Sequence, residues 1–132
     1  MKRFTPLSIA LILILLVACG TQKPKTLESF YNDEKIEQVS KITIQDGSTG
    51  IIKEMTEQAQ VDEFITQIKD IEFTPQDDQE KRVGWRYRVT LFDHEAEFTF
   101  TTDQIGDTYY DSKPNIFGII DEYFQQLKID GK

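Results

Sequence analysis

One cysteine, one histidine, two closely spaced arginines and a surplus of carboxylates are the side chains in this 132-residue sequence that could do chemistry. Cys19 could act as a thiolate nucleophile or metal ligand, but there is no second cysteine for a disulfide. His94 stands in Asp93-His94-Glu95 between two alternating segments. It could be the base of a Ser-His-Asp device, which needs a serine and an orienting acid beside it. No spacing in the sequence places a serine there, and a plain turn residue is the competing reading. Asp103, Asp107 and Asp111 could offer oxygens to calcium, yet their spacing crosses a turn and a strand, which suits solvated acids better. Zinc, which takes several nitrogen or sulfur ligands, does not fit a chain with one cysteine and one histidine. A glycosidase-like pair of carboxylates is open to any acidic chain, but abundance does not indicate a raised pKa in a cleft. No catalytic residue, metal or cofactor is therefore assigned.

Two features point instead to binding. Arg86 and Arg88 stand out in an acidic chain, and a planar guanidinium can hold a carboxylate bidentately. With Thr90, Glu97, Thr99 and Thr101 they are expected to share the polar back of a sheet, where cross-strand pairing of the arginines with Glu97 is the alternative reading. Tyr109 and Tyr110 are adjacent on an expected strand and so point to opposite faces, which should leave one exposed for a partner.

The apolar run that Cys19 closes gives the cysteine its context. Lys2 and Arg3 form a positive n-region, and Leu7 to Val17 an h-region ending in small residues, the layout of a secretory signal peptide. At about 1.5 Å per residue this run covers only about 16 Å of helix, short of a bilayer core near 30 Å. A buried hydrophobic helix or an uncleaved anchor are the other readings. Leu16-Val17-Ala18-Cys19 resembles the lipobox of bacterial lipoproteins. The resemblance implies a diacylglyceryl group on the sulfur of Cys19, cleavage between Ala18 and Cys19, and attachment to the outer face of the cell membrane. Two acyl chains hold a protein stably where one holds it marginally.

Loss of residues 1–18 removes two bases and no acid, so the formal charge falls from −8 to −10. That acidity argues against nucleic acid as a partner and against flat adsorption on anionic lipid, leaving the acyl chains to do the membrane work. The remaining 114 residues suffice for one domain with a modest core.

The elements follow from periodicity. Residues 19–35 begin with small polar residues and Pro24 and read as lipidated cysteine plus tether, with Leu27, Phe30 and Tyr31 as a short turn against the domain. Ile36, Ser40, Ile42 and Ile44 alternate with polar residues, and Asp46-Gly47-Ser48-Thr49-Gly50 turns the chain into a returning strand to Met55. Thr56 is the expected cap of a helix over 57–69, whose Val61, Phe64, Ile65 and Ile68 form one stripe. Residues 76–82 have no apolar member and read as an exposed loop. Gly84 opens a strand with Trp85, Tyr87, Val89 and Leu91 on one face, and Ala96, Phe98 and Phe100 return as its hairpin partner. A short strand at 108–110 follows. Asp111 or Ser112 is the expected cap of a last helix, with Pro114 in its first turn and Ile116, Phe117, Ile120, Tyr123, Phe124 and Leu127 at helical spacing.

The expected architecture is α+β: an antiparallel sheet of about five strands with two helices on one face, in ββα-βββα order, over residues 36–128, with a tail at 129–132. Asp46-Gly47-Ser48-Thr49-Gly50 and Gly84-Trp85-Arg86-Tyr87 behind a lipobox resemble motifs of small uncharacterised lipoproteins of Gram-positive, Bacillus-like bacteria, a resemblance that carries no activity to transfer. The functional expectation is a lipid-anchored, extracytoplasmic module that binds a protein or peptide and is not an enzyme. An envelope-protective or immunity-type lipoprotein is the alternative, and a small envelope hydrolase a third.

Overall fold

The computed structural model describes residues 23–127; the expected signal segment, Cys19 and the expected tail at 129–132 lie outside the described residues. In chain order the elements are β1 (Lys25–Thr26), α1 (Leu27–Asp33), β2 (Lys41–Asp46), β3 (Ile52–Met55), α2 (Gln58–Ile68), β4 (Glu72–Pro75), β5 (Tyr87–Asp93), β6 (Ala96–Thr101), β7 (Gln104–Ile105), β8 (Thr108–Lys113) and α3 (Ile116–Gln126). Among the described residues, no helix is long and apolar enough to cross a membrane.

The α+β class stands, but the single sheet of about five strands does not. Two four-stranded sheets form, ordered β3-β2-β5-β6 and β1-β4-β8-β7, with every neighbouring pair antiparallel. A bend at Thr102–Asp103 ends β6 and sends the chain into the second sheet. There β8 runs to Lys113, longer than the strand expected at 108–110, and pairs with β4. The expected tether over 19–35 also ends earlier, because Lys25 pairs with Phe73 and residues from Leu27 onward are helical. Leu27 and Tyr31, one turn apart, are both buried, and Thr26 caps the helix by accepting the Ser29 N–H.

The first sheet buries the expected parity. Ile42, Ile44, Met55, Tyr87, Val89, Leu91, Phe98 and Phe100 are all buried, beneath α2 and α3, which also touch each other. Phe64 of α2 meets Tyr123 of α3 edge to face with ring centroids 4.8 Å apart, and Tyr87 meets Phe124 at 5.1 Å. Lys53 Nζ lies over the Phe124 ring and donates to the Phe124 carbonyl at 2.8 Å, covering one of the acceptors that a helix C-terminus leaves open. The Tyr87 hydroxyl donates to Asp121 at 2.5 Å; burial, then Asp121, pushes its pKa up.

Helix ends differ from expectation by a few residues. Glu57, not Thr56, is the N-cap of α2, without a side-chain bond. Asn115 caps α3 by accepting the Phe117 N–H at 2.9 Å, while Ser112, still in β8, accepts the Ile116 N–H at 3.0 Å. Helix α1 joins the two sheets. Phe30 meets Phe73 and Tyr110 of the second sheet edge-on, and Tyr31 meets Phe98 of the first. Burial, reinforced by Glu28 and Asp70, pushes the Tyr31 phenol up to about 12.

The segment between α1 and β2 is pinned by Asp93, whose Oδ2 accepts the N–H groups of Glu37 and Gln38 at 2.8 and 3.0 Å. These bonds favour the carboxylate and hold its pKa below the ordinary value. A lowered folded-state pKa contributes stability that is present above the unfolded value near 3.9 and is lost as pH falls through the folded one. Asp93→Asn is therefore expected to lower the urea midpoint more at neutral pH than in strong acid. Equal losses at both would show that the two bonds do not depend on the charge.

Candidate functional site

On the outer face of the first sheet, away from α2 and α3, pairing sets residues of four strands side by side. Thr43 lies opposite Thr90, and Thr90 opposite Thr99; Gln45 lies opposite Ile52 on one side and Arg88 on the other. Thr43, Gln45, Ile52, Arg88, Thr90 and Thr99 line a shallow open depression of about 310 Å³. Ile52 is 48 % exposed. The Thr90 and Thr99 hydroxyls bond each other at 3.0 Å, which uses one of their two protons and leaves the other for a ligand.

Arg88 is the polar centre of this depression. Its guanidinium carbon lies 4.2 Å from the centroid of the Trp85 ring, an arrangement worth about 0.5–1 kcal/mol at an exposed site. Trp85 lies outside the strand, which begins at Tyr87, and can therefore fold back under the arginine. Its backbone is fixed through the neighbouring peptide, where the Gly47 N–H donates to the Arg86 carbonyl at 2.8 Å. Among the described residues, no carboxylate lies within ion-pair distance of Arg88 and no hydrogen bond engages its nitrogens. The expected alternative of pairing with Glu97 is overturned by register: Glu97 lies opposite Phe92, and Arg88 opposite Thr101.

The polar back is narrower than expected. Arg86 precedes the strand and turns to the helix side, with its guanidinium carbon 4.8 Å from the Phe117 ring of α3. Thr101 is buried and turns its hydroxyl to Asp103. Arg88, Thr90 and Thr99 remain together. Neither tyrosine of the expected pair is free: the second sheet has an exposed face at Glu72, Thr74, Asp111 and Lys113, but at the tyrosines both sides are covered. Tyr110 is half-buried against Phe30 and Phe73. Tyr109 is buried beneath Arg82, whose backbone N–H donates to its hydroxyl at 3.0 Å.

The other chemical candidates are dispersed. The His94 side chain is 90 % exposed and 3.7 Å from Asp93, while the nearby Ser40 hydroxyl donates to the Phe92 carbonyl. Asp103 pairs with Arg82 at 3.6 Å, Asp107 lies in the β7–β8 turn and Asp111 in β8. Among the described residues, no three His, Cys, Asp or Glu side chains are gathered as a metal set. A larger open concavity of about 850 Å³ lies at the end of the second sheet. Its amide side chains are engaged in fixing the loop after β4: Gln76 and Gln79 donate to the Tyr110 and Tyr109 carbonyls, and Gln79 accepts the Tyr109 N–H. That leaves Asp77 and Asp107 as its charged groups, a surface with less to offer an anion than the Arg88 depression.

Sequence reasoning passed over Thr43, Gln45 and Ile52, and it set Trp85 on the buried face of the strand with Tyr87, Val89 and Leu91, whereas the strand begins at Tyr87 and Trp85 is half-buried against Arg88. Trp85 carried a signal in Gly84, whose φ of +86° breaks the strand before it starts; the others depend on the non-local pairing of β2 with β5. The arrangement can hold a planar carboxylate on Arg88, with hydroxyl and amide groups beside it and apolar surface from Trp85 and Ile52 at the edge. No protein-family model, curated protein or solved structure matches this chain.

Proposed function

We propose that this protein is a lipid-anchored binding module at the outer face of the cell membrane, holding a protein or peptide partner by a carboxylate seated on Arg88. The anchoring half rests on the lipobox-like Leu16-Val17-Ala18-Cys19. The binding half rests on one observation: a guanidinium stacked on Trp85 with no carboxylate of its own among the described residues, in a chain with a formal charge of −8. A stacked guanidinium has lost much of its freedom before a ligand arrives, so less is lost on binding. Binding rather than turnover fits a shallow, open depression, which would not shield reacting groups from water.

The test is retention of a panel of extended peptides that differ only in their number and position of carboxylates. Arg88→Ala is expected to weaken acidic peptides about 10- to 100-fold, the worth of a charge-assisted pair. Arg88→Lys should recover only part of this, because the bidentate geometry is lost. Arg86→Ala, on the helix side, should leave retention unchanged. Equal retention by wild type and Arg88→Ala would exclude the depression as the site. Loss of membrane fractionation in Cys19→Ala tests the anchoring half separately.

A further inference from the structure

The loop between β4 and β5 is divided by charge. Asp77, Asp78 and Glu80 occupy its first half, whereas Lys81-Arg82-Val83-Gly84-Trp85-Arg86-Tyr87-Arg88 carries four cations and no acid. The first half is fixed to the end of the second sheet: the Gln76 N–H donates to the Tyr109 carbonyl, Gln79 bonds the Tyr109 backbone in both directions, and Arg82 bonds Gln76 and the Asp78 carbonyl. Arg82 is taken up in this way and by Asp103. Lys81 and Arg86 are exposed with no carboxylate in ion-pair range among the described residues, and Val83 between them is wholly exposed at 105 %. A fully exposed aliphatic side chain flanked by unpaired cations beside a half-buried tryptophan combines the two attractions of a lipid interface, charge for anionic headgroups and apolar surface for the boundary beneath them.

The course of the chain puts the first part of this loop at the end of the second sheet from which the N-terminal segment leaves. Lys25 pairs with Phe73 and Thr26 with Glu72, antiparallel. The direction leading back from Lys25 is therefore the direction of Thr74 and Pro75, toward the end of β4 where the loop starts. Cys19 lies six residues before Lys25, at most about 21 Å of extended chain. Strands stand about 4.8 Å apart, so Tyr109, two strands from β1 in the order β1-β4-β8, and Arg82 over it belong to the same end of the sheet.

We infer that residues 81–86 are a membrane-contact loop that seats Lys81, Val83 and Arg86 on anionic phospholipid headgroups and so sets how the anchored domain stands on the bilayer. This rests on the anchoring proposed above and goes beyond it. Net acidity opposes adsorption of the whole domain, and the same repulsion favours an orientation in which a locally basic segment faces the lipid. An acidic protein would satisfy the cations alone. The bare valine and the short distance to Cys19 favour the lipid, which the anchor would supply at high local concentration.

Trp85 is the single tryptophan and reports the contact directly. The full lipidated chain is placed in phosphatidylglycerol–phosphatidylcholine vesicles and in phosphatidylcholine vesicles, each containing a lipid quencher at headgroup depth. Flotation reads anchoring, and Trp85 quenching reads contact. Quenching is expected on the anionic vesicles alone, reduced to about half or less in Lys81→Gln/Val83→Ser/Arg86→Gln and likewise by salt high enough to shorten screening to a few ångströms. Salt leaves the covalent structure untouched, so the result does not depend on the folding of the variant. A chain that floats but is unquenched on anionic vesicles, or is quenched equally on both, overturns the contact while the anchoring stands, and leaves the loop to an acidic protein. A chain that floats with neither vesicle overturns the anchoring and the contact with it.

Discussion

Phe73→Ala is expected to remove about 3–5 kcal/mol of stability, a large part of the roughly 5–15 kcal/mol that a domain holds. The ring is fully buried in β4, a strand of four residues that sits between β1 and β8. It meets Phe30 of α1 at 6.3 Å and Tyr110 of β8 at 6.1 Å, both edge-on. Removing it takes away the surface that α1 docks on and opens a cavity that such a short strand cannot close by shifting. Urea titration followed by far-UV circular dichroism reads the loss as a lower midpoint. Thr74→Ala, the exposed next residue, should change stability by no more than about 0.5 kcal/mol. A loss below about 1 kcal/mol for Phe73→Ala would mean that α1 does not rest on β4.

Gly47→Ala is the second large effect and links the fold to the site. A Cβ at this position would collide with the carbonyl oxygen of Trp85 and lie 2.9 Å from an atom of its ring. Relief requires the β2–β3 turn and the Gly84–Arg86 segment to move apart, which costs about 1–3 kcal/mol in overpacking and breaks the Gly47 N–H bond to the Arg86 carbonyl. The expected result is a lower urea midpoint together with a changed Trp85 emission and weaker Arg88-dependent peptide retention. Gly50→Ala supplies the contrast. Its added Cβ meets nothing within 4 Å but strains a φ of +78°, so it should cost about 1–2 kcal/mol with Trp85 emission unmoved. Identical fluorescence in Gly47→Ala and wild type would contradict the packing of the turn on Trp85.

Local periodicity carried the reading of the fold where a segment's neighbours in sequence are also its neighbours in space. The stripes Val61–Phe64–Ile68 and Ile116–Ile120–Tyr123–Phe124 are buried in α2 and α3, and the alternation from Tyr87 to Phe100 is the β5–β6 hairpin with its turn at His94. It failed where partners are distant. The stretch from Ile71 to Pro75 is too short for a period to be read from it; only β8, arriving much later, makes it a central strand. Leu27, Phe30 and Tyr31 read as a short turn against the domain, and α1 is that turn; only the tether bounds of 19–35 placed around it were too long. The site shows the same division. Arg88 stood out by charge alone, but the threonine and glutamine beside it are ordinary strand residues until β2 is laid against β5. Tyr109 and Tyr110 misled because alternation does not show what folds over a strand locally: Arg82 from the β4–β5 loop covers Tyr109 on a face that is otherwise open, and α1 covers Tyr110.

The two-residue strand β1 has a mechanical consequence. Any pull on the N-terminus reaches the body of the protein through Lys25 and Thr26 and then through the Leu27 and Glu28 N–H bonds to the Ile71 and Lys69 carbonyls. Force would meet only two ladder positions before the fully buried Leu27. Peeling them would lengthen the leash by roughly 7 Å at 3.3–3.6 Å per residue, while the Leu27 side chain and the aromatic contacts of Phe30 and Tyr31 hold the rest. The joint yields a little slack under load before the core is touched.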